Sequence, residues 1–123
     1  MRYGALLEAN FAVSFSGPTD LAPVYADIRP SIWHPNYFIA QILNRESDLP
    51  KDLVPLLARS KRTQFIQFYG SDAIDDERQA RRLEGLPRVS VVPVSGVSDH
   101  FVIDHMIGDG SFDALLDKLA SAL

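Results

Sequence analysis

The pattern of apolar and polar residues along the chain predicts three short strands. Residues 11–16, 64–69 and 89–94 are rich in β-branched and aromatic side chains, and turn-forming residues bound each run. Gly17 and Pro18 end the first run. Pro93 removes a backbone donor from the third, so that strand is predicted to lie at a sheet edge.

A helix is predicted to follow each of the last two strands. At 77–84, Asp76 is the predicted N-cap and Gln79 its capping-box partner, and Gly85 then ends the helix. The last helix is predicted to begin at Ser111 as its cap. Apolar residues then recur with helical spacing to the end of the chain.

Residues 18–62 differ in character, since they contain six of the eight prolines and the single tryptophan, Trp33. Proline at this density prevents long helices and central strands. The aromatic residues favour an ordered cap or crossover segment over a disordered linker. Short helices are predicted at 37–45 and 49–58, and another at 3–9.

The order of elements predicts the topology. Residues 64–123 form a strand–helix–strand–helix unit, for which parallel pairing with right-handed crossovers is expected. Residues 11–16 can join as a third parallel strand. The sequence therefore predicts a single α/β domain over 1–123, with a small parallel sheet of about three strands flanked by helices.

Composition narrows the classes of function. The chain has 123 residues, 46% of them hydrophobic and 23% charged, which is ordinary for a globular domain. A net charge of −4 disfavours nucleic acid as a partner. The absence of cysteine excludes disulfides and thiol catalysis. No run approaches the roughly 18 apolar residues of a membrane span, and a cytoplasmic location is the default expectation.

Candidate chemistry lies on the loops after the strands, because parallel sheets place functional groups beyond the carboxyl ends of their strands. His100 lies on the loop after the third strand and is a candidate general base. Asp72 is the first choice for its acid partner and Asp75 the second. Asp76 is assigned to capping, and Asp99 is taken to point elsewhere. The alternative is that Asp72 is an ordinary turn residue and His100 a helix-start residue.

The motifs in this region resemble the C-terminal half of an α/β-hydrolase. The resemblance covers 64–123, and more loosely 3–20 as the helix and strand that follow a nucleophile elbow. It implies a serine-esterase site with His100 as the histidine and Asp72 as the acid, although the family's Gly-x-x-Asp spacing would fall on Ala73. The segments that carry the resemblance are Tyr69-Gly70-Ser71-Asp72, Gln79-Ala80-Arg81-Arg82-Leu83, Ser95-Gly96-Val97-Ser98-Asp99-His100 and Gly110-Ser111-Phe112-Asp113-Ala114-Leu115-Leu116.

The family's nucleophile motif, Gly-x-Ser-x-Gly, does not occur in the sequence. Met1 aligns just after the missing serine, so it is expected to be an internal methionine or a start that followed gene loss. Ser14 and Ser16 are weak alternatives as nucleophiles. The first hypothesis is therefore a hydrolase remnant or fragment that acts on a small ester only when a nucleophile is supplied.

A second hypothesis is a non-enzymatic interaction domain. The strand at 11–16 leaves an open sheet edge that a second copy or a complementary chain could cover. A third is a small-molecule binder that uses the same strand-end crevice. No cofactor is predicted. His34, His100 and His105 lack the spacing of a metal site.

Overall fold

A computed structural model describes residues 9–20 and 52–123 of the chain. The strands are β1 (Phe11–Phe15), β2 (Gln64–Gly70) and β3 (Val89–Val94), and they form a parallel sheet in the order β1-β2-β3. The helices are α1 (Val54–Arg59), α2 (Ile74–Arg81), α3 (Val102–Asp109) and α4 (Ser111–Ser121). The predicted α/β class and three-stranded parallel sheet are confirmed.

Helices flank the sheet on both faces. Alternate side chains of β2 point to opposite sides of the sheet, so each face of this strand packs against helices. Phe68 packs with Val102 and Met106 of α3 and Leu115 of α4. Phe65 packs on the other face with Leu57 of α1 and with Leu83, which follows α2. Burial of β2 on both faces explains why apolar residues stand next to each other at Phe65–Ile66 and Phe68–Tyr69 instead of alternating with polar ones.

The position of Pro93 agrees with the sequence prediction. Within the described part of the chain, β3 pairs only with β2, and Pro93 is paired in register with Tyr69. A proline is tolerated in such an edge strand, where its missing N–H need not face a neighbouring strand.

Helix α2 begins earlier than predicted. Ala73 is its N-cap residue, with no side-chain capping bond, so Asp76 lies in the first turn and is not the cap. Gln79 is not a capping-box partner either, because its side chain bonds the loop after β1. The physical reason is a tight turn after β2, in which Ala73 N–H donates to Gly70 O and the helix can start at Ile74.

The assignment of Ser111 as a cap is also wrong. Ser111 is the first residue of α4, and Gly110 separates α3 from α4 in the left-handed conformation, at φ 82°. The N-cap residue is Gly110, and the side chain of Asp109 accepts from Ser111 N–H at 2.8 Å. Glycine fits because a left-handed φ costs it little.

Helix α1 occupies the end of the helix predicted at 49–58 and begins at Val54, with a proline in its first turn. Proline is favourable there because the first N–H groups of a helix have no partner within it. The helices predicted at 3–9 and 37–45, and the aromatic cluster around Trp33, lie outside the described residues.

Candidate functional site

His100 lies on the loop between β3 and α3 and contacts a carboxylate of α2. Its Nδ1 atom is 2.7 Å from Oδ1 of Asp76. The Asp76 side chain is 5% exposed, whereas that of His100 is 74% exposed. A buried carboxylate therefore holds one ring nitrogen of a histidine whose body faces solvent, which leaves Nε2 available to an external group.

Backbone bonds between the loops after β2 and β3 bring these two residues together. Ser71 N–H donates to Val94 O and Asp72 N–H donates to Val97 O, both at 3.0 Å. Gly96 N–H donates to the Ser71 hydroxyl, also at 3.0 Å. The Gly70-Ser71-Asp72 motif thus fixes the spacing between the loop that leads into α2, where Asp76 lies, and the loop that carries His100.

Gly70 is required by this close approach. A Cβ at this position would overlap the carbonyl oxygen of Val97 on the neighbouring loop. The contact is with backbone, so a side-chain rotation cannot relieve it. The glycine of the motif therefore has a packing role next to the candidate site.

The two acids preferred from the sequence have other neighbours. Asp72 Oδ1 accepts from the Ser71 hydroxyl at 3.1 Å. Asp75 forms a surface ion pair with Arg78 at 3.3 Å. The carboxylate that the structure brings to His100 is Asp76, for which the sequence predicts a capping role.

One sequence feature could have identified Asp76. Three consecutive acids, Asp75, Asp76 and Glu77, suit the first turn of a helix because its N-terminal end carries partial positive charge. A helix that starts before these acids leaves Asp76 free to contact another element. The expectation of a capping role for Asp76 concealed this alternative.

A second aspartate–histidine pair lies nearby. Asp99 Oδ1 accepts from Phe101 N–H at 2.8 Å, and its Oδ2 is 3.3 Å from Nε2 of His105. The Phe101 N–H, followed by His105, lowers the pKa of Asp99 below its usual range. Asp99 therefore serves the start of α3 and His105, while His100 bonds Asp76.

A cavity of about 470 Å³ lies beside this second pair. It is lined by Asp104, His105 and Asp109 together with the loop 94–97, and includes neither His100 nor Asp76. The Asp76–His100 pair is therefore not part of this cavity.

Neither candidate serine is bonded to His100. Ser14 lies within β1, and Ser16 follows it in a left-handed conformation at φ 50°. The Ser16 hydroxyl is buried and has no hydrogen-bond partner, while its N–H donates to Phe68 O at 2.8 Å. In the described ranges, no hydroxyl forms a hydrogen bond with His100.

A polar network that the sequence analysis missed holds the loop after β1 against α2. The N–H groups of Thr19 and Asp20 both donate to Gln79 Oε1 at 2.9 Å. The hydroxyl of Thr19, a fully buried residue, donates to Gln79 O at 2.7 Å. Arg82 Nη2 donates to Asp52 Oδ1 at 3.0 Å and links the network to the segment that precedes α1.

No group of three or more acidic or histidine side chains in residues 9–20 and 52–123 is arranged to hold a metal ion. In the same residues, no helix has the length and hydropathy needed to cross a bilayer.

No protein-family model matches the chain, and comparisons with curated proteins and with solved structures give no significant match.

Proposed function

We infer that this chain supplies the acid and histidine of a serine-hydrolase site of the esterase type and has little or no activity without a nucleophile from elsewhere. The observation that carries the proposal is the 2.7 Å contact between His100 Nδ1 and Asp76 Oδ1. The same contact makes Asp76, instead of Asp72 or Asp75, the proposed acid.

The chemistry follows from the orientation of the imidazole. An Nδ1–H that donates to Asp76 leaves Nε2 with its lone pair, which can accept the proton of an attacking hydroxyl. The carboxylate then stabilises the imidazolium, and Nε2 returns the proton to the departing alcohol. Burial of Asp76 favours this role, since water competes little for the carboxylate.

The topology supports the same proposal. Asp76 and His100 follow adjacent parallel strands, and both lie beyond the carboxyl ends, where α/β proteins place their ligands. This arrangement agrees with the α/β-hydrolase resemblance of residues 64–123. The proposal also retains a small ester as substrate and a cytoplasmic location as expectations.

Ester hydrolysis tests this proposal directly. The 123-residue chain should hydrolyse p-nitrophenyl acetate no faster than background. Reading the gene upstream of Met1 tests whether an in-frame Gly-x-Ser is encoded there. If it is, the extended protein should be active, and a stop codon there would favour a non-catalytic role. In the extended protein His100→Ala should lower kcat by about 10⁶-fold, as expected for loss of a triad histidine.

His105→Ala is the matched control, since His105 is also a partly exposed histidine paired with an aspartate. It should leave kcat within about twofold of the starting protein, because no role in the reaction is proposed for it. Hydrolysis by the 123-residue chain alone, lost in His100→Ala, would contradict the proposed inactivity. An inactive extended protein that contains the serine motif would contradict the hydrolase assignment.

A second candidate function, a module that pairs through its sheet edge, is favoured by the state of β1. All five residues of β1 are half-buried, and within the described ranges β1 pairs only with β2. Asn10 O and Ser16 N–H form hydrogen bonds with β2. Backbone groups of alternate residues in a strand point to opposite sides, so those of Phe11, Val13 and Phe15 point away from β2. Such groups can pair with another strand.

Light scattering across a concentration series tests this second candidate. Phe11→Pro removes an outward N–H at the first position of the strand, where proline is tolerated. Phe11→Ala is the control, since it loses the same ring and keeps the N–H. A dimer that survives Phe11→Ala and dissociates in Phe11→Pro supports edge pairing, whereas a monomer at all concentrations contradicts homodimerisation.

A further inference from the structure

A groove lies between β3 and α4, away from His100 and Asp76. We call it the β3–α4 groove, and its cavity volume is about 540 Å³. This volume falls in the range of pockets that bind small molecules. Its apolar walls include Val92 and Val94 of β3, Met106 of α3, and Ala114 and Leu115 of α4.

The groove follows one face of α4. Ser111, Ala114, Leu115 and Lys118 all line it, and their spacing of i, i+3, i+4 and i+7 places them in one stripe of the helix. Lys118 is seven positions after Ser111, so the stripe is about 10 Å long. An elongated apolar ligand fits this shape better than a compact polar one.

Among the residues that the structure describes, Lys118 is the single charged one that lines the groove. The positions three and four residues away on the helix are Ala114, Leu115, Ser121 and Ala122, none of which carries charge. Within the described part of the chain, Lys118 forms no salt bridge. An uncompensated cation at an apolar groove is complementary to an anionic head on an apolar chain.

We propose that the β3–α4 groove binds a medium-chain alkyl carboxylate, with the alkyl chain against Val92, Met106 and Leu115 and the carboxylate at Lys118. The proposal does not depend on the hydrolase assignment, since the groove contains neither His100 nor Asp76.

Binding of sodium decanoate below its micelle concentration, followed by calorimetry and amide chemical shifts, tests the proposal. We expect saturable binding, with shifts confined to β3, α3 and α4. Lys118→Gln should weaken binding roughly tenfold, in line with the loss of a charge-assisted hydrogen bond. Lys61→Gln makes the same charge change at an exposed residue outside the groove and should leave the affinity unchanged.

Ala114→Trp is the second variant. Ala114 is exposed on α4, so a larger side chain can be accommodated while it fills the groove. Decanoate binding should be abolished in this variant, and hydrogen-exchange protection of β2 should confirm that it folds. Absence of decanoate binding, or binding unchanged by Ala114→Trp, would overturn the proposal. Equal affinity for decanol would also overturn it. So would dimerisation that depends on concentration and shifts the β3 signals, without decanoate binding.

Discussion

Nδ1 of the exposed His100 lies 2.7 Å from Oδ1 of the buried Asp76. The two residues come from the loop after β3 and the first turn of α2, so the bond exists only when the loops after β2 and β3 are held side by side. Asp76 Oδ2 is buried and has no hydrogen-bond partner. The orientation of Asp76 therefore depends on His100 and on the helix that carries it.

Asp76→Asn should release the preferred orientation of His100. The amide keeps the shape of the side chain but loses the charge that favours the Nδ1–H tautomer of the neutral ring. In ¹⁵N spectra of the histidine ring, we expect the Nδ1–H tautomer to dominate in the unmodified chain and the two tautomers to become mixed in Asp76→Asn. Asp75→Asn, at an exposed neighbouring acid, should leave the spectrum unchanged. Identical tautomer populations in all three proteins would contradict the pairing.

Gly70→Ala should destabilise the protein and separate the loops after β2 and β3. The new Cβ overlaps the carbonyl of Val97, so the backbone must shift. A cost of about 1–3 kcal/mol in the free energy of unfolding is expected from overpacking at a tight site. Urea unfolding measures the loss, and the His100 ring signals should change with it.

Gly108→Ala is the matched control for Gly70→Ala. Gly108 lies within α3, and a Cβ there meets no atom within 4 Å. Alanine is the better helix former by about 1 kcal/mol, so this variant should be neutral or more stable. Equal destabilisation by the two substitutions would show that contact with the Val97 carbonyl does not set the requirement for Gly70.

The strands and topology could be predicted because they depend on local patterns. Apolar residues stand next to each other in β2 because both of its faces are buried. Pro93 marks an edge because it lacks a backbone donor. The spacing of helices and strands then favoured parallel pairing. These features follow from residue types and periods in short windows of sequence.

The partner of His100 could not be predicted in the same way. It depended on whether α2 begins at Ile74 or Glu77, a shift of less than one turn that changes the role of Asp76 from cap to contact. The bonds from Gln79 to Thr19 and Asp20 join parts of the chain that are distant in sequence. No local pattern specifies such contacts, since they are set by the packing of the two segments.

Gln79→Ala should destabilise the loop after β1. The Gln79 carboxamide accepts the N–H groups of both Thr19 and Asp20, and Thr19 is fully buried. Loss of these bonds should cost about 1–3 kcal/mol, as expected when a buried donor loses its acceptor. Hydrogen exchange at the Thr19 amide should accelerate, and urea unfolding gives the total cost.

Gln64→Ala provides the comparison for Gln79→Ala, since Gln64 is an exposed glutamine at the first position of β2. A surface substitution of this kind should change the free energy of unfolding by no more than about 0.5 kcal/mol. If the two variants were equally stable, the network around Thr19 would contribute little to the fold.

We predict that the Asp99 carboxylate makes the free energy of unfolding depend on pH in the acid range. Its pKa is lowered in the folded chain by the Phe101 N–H and then by His105, so folding favours the ionised form. The resulting stabilisation is present above the unfolded pKa of about 3.9 and is lost as the pH falls through the lower folded value. Asp99→Asn should therefore reduce stability at neutral pH and flatten the decline below about pH 4.

Asp117→Asn makes the same charge change on the surface of α4, and urea unfolding across the acid range should show that it retains the decline. An Asp99→Asn profile that runs parallel to that of the unmodified chain below about pH 4 would contradict this assignment.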